Sequence, residues 1–129
     1  MFEMKESYKI GIDFIDEQHT VIFSIANRAY YLLKDKFVID KFDKITEIID
    51  ELKEYTKSHF AAEEKYMKEI GHKKMFTQKI EHEKFIGMLE DLDLSKVDKN
   101  QDEYIEKILR VLGDWLIHHI LEKDLLIGK

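Results

Sequence analysis

Residues 42–63, FDKITEIIDELKEYTKSHFAAE, decide the fold. The stretch holds neither Gly nor Pro, and Phe42, Ile45, Ile49, Leu52, Thr56, His59 and Glu63 recur at steps of three and four. That spacing paints one face of a helix. The stripe begins apolar and ends on an imidazole and a carboxylate. Polar groups that face a core need partners, so its end asks for something a hydrophobic core does not supply. Three more stretches repeat the pattern: Ile15, His19, Ile22, Ala26, Ala29 and Leu33; Met75, Gln78, His82, Phe85, Leu89 and Leu92; and Ile105, Ile108, Leu112, Trp115 and His119. Each stripe carries its His, Glu or Gln at one end.

Between the stripes lie the punctuation signals. Proline is absent and only 5 glycines occur, so little breaks a long helix. An N-terminal arm containing Gly11 precedes a helix predicted at roughly 17–36. Asp40 can cap a second helix at roughly 41–69, which Gly71 ends from the C-cap position. A third helix is predicted at roughly 73–92 and a polar loop at 93–99. Asn100 and Glu103 have capping-box spacing for a fourth helix running to about Asp124. Short links between amphipathic helices favour an all-α, antiparallel up-down-up-down four-helix bundle with an N-terminal arm. The chain carries no internal repeat or low-complexity segment, and 1–129 reads as one domain.

Composition narrows the function. With 129 residues, 37% charged and 44% hydrophobic, the chain suits one globular core. Its net charge of −6 argues against nucleic acid or an anionic membrane surface, which attract basic proteins. The absence of cysteine excludes disulfides, thiolate nucleophiles and iron–sulfur clusters, leaving imidazole and oxygen as metal donors. Residues Met1 to Lys9 include acidic side chains and no apolar targeting core, and no run is long enough to span a membrane. A cytoplasmic location is expected.

In an up-down bundle the polar ends of all the stripes fall at one level. His19 is near the start of the first helix and His59/Glu63 near the end of the second. Gln78/His82 open the third, and His119/Asp124 close the fourth. His59 and Glu63 are i,i+4, as are Gln78 and His82, so each pair projects two donors from one face. His119 and Asp124 are five apart, which on an ideal helix rotates the second side chain by about 140°. They share a face only if the last turn frays or widens, or if Asp124 reaches across. Four imidazoles and two carboxylates exceed the needs of one tetrahedral zinc and suit a carboxylate-bridged metal pair. A lone histidine on an apolar face is more often a hydrogen-bonded core residue; the coincidence of level is what favours metal. His118 lies off the face, and His72 is too far along the chain to join. Glu69 and His72 form only one Glu-x-x-His match, where ferritin-like sites use two.

At these residues the chain resembles the hemerythrin family of non-haem di-iron dioxygen-binding proteins. The resemblance rests on Gly11-Ile12-Asp13-Phe14-Ile15-Asp16-Glu17-Gln18-His19, on His59-Phe60-Ala61-Ala62-Glu63-Glu64 followed by Met67, on His82 with Phe85, and on Trp115-Leu116-Ile117-His118-His119-Ile120 with Asp124. It implies that His19 and His59 bind one iron, that His82 and His119 bind the other, and that Glu63 and Asp124 bridge them beside an oxo or hydroxo group. The family has a third histidine on the second iron, four residues before the one matched by His82, and here that position is Gln78. A glutamine offers only a weak carbonyl oxygen, so that iron takes Gln78, takes water, or keeps an open position. The implied function is reversible dioxygen binding for storage, delivery or sensing, with Ile22, Phe60, Trp115, Leu116 and Ile120 suited to line a dry pocket. The alternative is a di-iron redox enzyme acting on peroxide or nitric oxide; a metal-independent helical module is a third class. A carrier or sensor is favoured over an enzyme, no catalytic residue is assigned, and no protein partner is legible.

Overall fold

The computed structural model describes residues 4–92 and 101–128, and among these it contains helices and no strand. Helix α1 spans Asp13–Lys34, α2 Phe42–Ile70, α3 Met75–Glu90 and α4 Gln101–His119. A short 3-10 turn, Glu6–Tyr8, precedes α1. Beyond α4 the chain runs through a π-helical turn, Ile120–Asp124, into a last helical turn, Leu125–Ile127. The loop expected at 93–99 and the Asn100 half of the capping box lie outside the described residues.

Helix α1 packs on α2 and α4, and α2 packs on α3. Their directions follow from which ends meet. The His19 ring, early in α1, lies 4.8 Å from that of His59, late in α2. His82, early in α3, lies 5.0 Å from His119 at the end of α4. The result is an antiparallel up-down-up-down bundle.

Helix α1 begins at Asp13 instead of about 17, because the arm before it is tied back. The Asp16 carboxylate accepts the backbone N–H of Ile10 at 2.9 Å and of Gly11 at 3.2 Å. Gly11 itself turns at φ 88°, a conformation that side chains with a Cβ rarely adopt. The same helix ends at Lys34, earlier than expected, where Asp35 accepts the Phe37 N–H at 2.9 Å and opens a turn. Asp40 accepts the Phe42 N–H at 3.0 Å at the mouth of α2. Gly71 ends that helix in the left-handed region, with the His72 N–H donating back to the Met67 carbonyl at 2.9 Å.

The stripes meet in a main core that includes Ile22, Ala26, Ile45, Leu52, Phe85, Ile105 and Leu112. Burying each of the larger side chains contributes about 1.5–3 kcal/mol. Leu33, Leu92, Met75 and Trp115 are on their stripes but only half-buried. A separate apolar cluster, Ile10, Ile15, Met67 and Ile127, closes one end of the bundle. Here the C-terminus crosses the N-terminal arm so closely that a Cβ on Gly128 would lie 2.0 Å from the Ile10 carbonyl oxygen. Ile15, Met67 and Ile127 sit one turn beyond His19, Glu63 and Asp124 along their helices. The polar ends of the stripes are therefore enclosed between two apolar layers.

Candidate metal centre

All the side chains singled out at the stripe ends are buried: His19, His59, Glu63, Gln78, His82, His119 and Asp124. The Glu63 carboxylate is central to them. Its Oε2 lies 3.1 Å from His59 Nε2 and 3.7 Å from His19 Nε2, and its Oε1 lies 3.2 Å from His82 Nε2. Asp124 stands opposite, with Oδ2 3.2 Å from His19 Nε2 and Oδ1 3.2 Å from His119 Nε2. The π turn makes this possible. Its wider winding brings residues five apart onto one face, so Asp124 follows His119 into the site.

Two overlapping donor groups result, His19/His59/Glu63 and Glu63/His82/His119/Asp124, and each can hold a metal ion. The chemistry of the set fits a cation. Both Glu63 oxygens are buried without a hydrogen bond, although three imidazoles surround them. The Nε2 atoms of His82 and His119 are 3.1 Å apart, too close for both to carry a proton pointing at the other. Donors bound at about 2.1 Å and at right angles to one another sit about 3.0 Å apart, close to the spacing seen here.

The electrostatics carry the same message. Burial pushes the His19 imidazolium down, but the neighbouring carboxylates of Asp124 and Glu63 outweigh it and raise its pKa to about 9. His119 is likewise raised: burial lowers it, and its bond to Asp124, the charges of Asp124 and Glu63 and its bond to Glu81 raise it further. For Glu63 burial acts upward, yet the imidazoles of His19, His59 and His82 that face it hold the carboxyl well below the usual range. Two buried carboxylates demand positive charge, from imidazolium protons or from a metal.

Each imidazole turns Nε2 inward, and the outward Nδ1 atoms reveal residues that the stripes do not. His59 Nδ1 lies 2.7 Å from Gln18 Oε1, His82 Nδ1 3.1 Å from Glu64 Oε2, and His119 Nδ1 2.9 Å from Glu81 Oε2. Among the described residues His19 Nδ1 has no hydrogen-bond partner. Gln18, Glu64 and Glu81 each follow or precede a residue of the cluster and reach to the histidine of the next helix. Periodicity along one helix carries no such signal. Gln78 donates from Nε2 to Asp124 Oδ1 at 3.2 Å, and its Oε1 has no partner.

Beside the cluster is a cavity of about 10 Å³, room for roughly one water-sized molecule. Ile22, Phe60, Trp115, Leu116 and Ile120 all line it, together with Phe23. His19, His59, His119 and Asp124 form its floor. His118 is exposed and pairs with Glu122 at 3.7 Å, and His72 follows Gly71 between α2 and α3, so neither joins the cluster.

Fold and site together define an all-α bundle with a buried histidine–carboxylate cation site. The chain belongs to the hemerythrin family: the family described as Hemerythrin HHE cation binding domain matches residues 10–129. Among its relatives, the bacteriohemerythrin of Clostridium acetobutylicum is 48% identical over 96% of each chain. That of Methylococcus capsulatus is 32% identical over 92% of this chain and 86% of its own. Among the described residues no helix is long and apolar enough to cross a membrane.

Proposed function

We propose that this chain is a cytoplasmic, single-domain dioxygen-binding protein built on a carboxylate-bridged di-iron site. On this reading His19 and His59 would hold one iron and His82 and His119 the other, with Glu63 and Asp124 shared between the two beside an oxo or hydroxo group. The iron pair, when bound, supplies the electrons for reversible dioxygen binding. The chain's own residues do the rest. Glu63 offers one oxygen to each histidine pair, and Asp124 does the same from the opposite side. Ile22, Phe60, Trp115, Leu116 and Ile120 keep bulk water from the site and leave space only for a very small guest.

The observation that carries the reading is the juxtaposition of two donor groups sharing Glu63 with one small apolar cavity. Anaerobic ferrous loading, followed by addition and removal of dioxygen under a visible spectrometer, tests it. A charge-transfer band that appears and reverses is expected. Irreversible conversion to a ferric form favours the second reading, a redox enzyme acting on peroxide or nitric oxide. That alternative draws on Gln78, whose hydrogen bond to Asp124 leaves the His82/His119 half one strong donor short.

A further inference from the structure

The two halves of the metal centre differ in what stands behind their imidazoles. His82 and His119 both direct Nδ1 to carboxylates, Glu64 and Glu81. His59 meets only the neutral amide of Gln18, and His19 meets nothing. Among the described residues the anionic partners therefore fall on the half that carries Gln78.

We infer that Glu64 and Glu81 strengthen His82 and His119 as metal donors and so offset the donor that Gln78 withholds. The inference rests on the di-iron reading. A carboxylate that accepts the Nδ1–H of an imidazole pushes electron density towards Nε2, which raises its basicity and favours a bound cation. Gln78 acts the opposite way: its Nε2–H bond draws density from Asp124 Oδ1, the oxygen nearest His119. Turning the amide over would set Oε1 against that carboxylate oxygen.

The planes of the two rings do not depend on the glutamates. Phe60 stacks on the His82 ring at 3.8 Å with planes 1° apart, and Trp115 stacks on His119 at 4.5 Å and 11°. Both ring planes are held without the carboxylates. Glu64 and Glu81 side chains are also 24% and 29% exposed, so they keep their charge without full loss of solvation. Lys123 stands 3.7 Å from the other oxygen of Glu81 and offsets part of its charge.

The test uses the full chain carrying Glu64→Gln and Glu81→Gln, changes that keep an oxygen acceptor and remove the charge. Ferrous iron is loaded anaerobically and withdrawn by a competing chelator, with Mössbauer spectra of the loaded protein. Wild type should hold two equivalents. In the double variant one equivalent should bind roughly 10–100-fold more weakly, with one of two Mössbauer signals altered and the other unchanged. The converse variant, Gln18→Glu, should tighten the other equivalent and serves if the double variant folds poorly. Retention of both equivalents at wild-type affinity, or equal weakening of both, overturns the inference while leaving the di-iron reading intact. Uptake of one equivalent or fewer by wild type overturns the reading itself.

Discussion

The two ends of this bundle both bury charge, and they satisfy it differently. Away from the metal centre Lys41 is 4% exposed, and its ammonium donates to Asp102 Oδ1 at 2.6 Å and to the Leu33 carbonyl at 3.1 Å. Its backbone N–H donates to Gln101 Oε1 at 2.7 Å, and Gln101 in turn donates to Asp40 at 3.0 Å. Protein groups alone complete that end. At the other end Glu63 has lone pairs without hydrogen bonds, and imidazole nitrogens face one another. Burial of polar groups does not by itself imply a metal. What points to one is a convergence of carboxylates and facing imidazole nitrogens that only added protons or a cation can satisfy.

The largest effect that would sharpen this contrast comes from Glu63, the carboxylate common to both donor groups. On the di-iron reading, Glu63→Ala should weaken iron binding at both positions by more than about 100-fold, beyond the range of outer-sphere changes. Metal titration followed by calorimetry measures this. Wild-type stoichiometry and affinity in the variant would break the contrast, since Glu63 is common to both donor groups.

A smaller effect is expected from pH on the chelated protein. His19 titrates near 9 in the folded chain against 6.5 when free, and His119 is shifted the same way. Raised values mean stability that is full below about 6.5 and lost as pH climbs to about 9, by ~3 kcal/mol for His19. Glu63 is depressed, so its contribution is present above its free value of 4.5 and fades as pH falls through its folded value. Metal-free protein should be most stable between these limits. Iron binding requires neutral imidazoles, so the stabilisation by metal should grow across the same alkaline window. Thermal melts with and without chelator read both trends, and a metal-free melting temperature that rises from pH 6.5 to 9 would contradict them.

The smallest effect belongs to the opposite end. Lys41→Met preserves bulk and removes the ammonium, leaving the Leu33 carbonyl short of a donor at a cost of about 1–3 kcal/mol. Asp102, two-thirds exposed, turns to water. Denaturant unfolding should register that loss while iron stoichiometry stays unchanged. Loss of iron from this variant would mean that the two ends are coupled through the bundle.

Much of this was legible in the letters, because a helix stripe is a local periodicity. Phe42 through Glu63 announces a buried face whatever lies opposite, and the level shared by His19, His59, Gln78, His82 and His119 follows once the connections alternate direction. The start of α1 is not legible in the letters, because the Asp16 carboxylate that holds the arm acts from inside the helix it initiates. The offset of His119 and Asp124 exposed a geometric problem in the sequence, and the π turn answers it with backbone that no propensity foretells.

Residue types, their spacing and the absence of cysteine thus determined the helices, their inward faces and the donor chemistry, since all of these act within a few turns of one chain. Contacts between helices decided the remainder: that Glu63 lies among three imidazoles, that Gln78 is engaged with Asp124, and that Glu64 and Glu81 back one half only. Such contacts join residues far apart in the chain, and their distances depend on how whole helices pack, which no local pattern encodes.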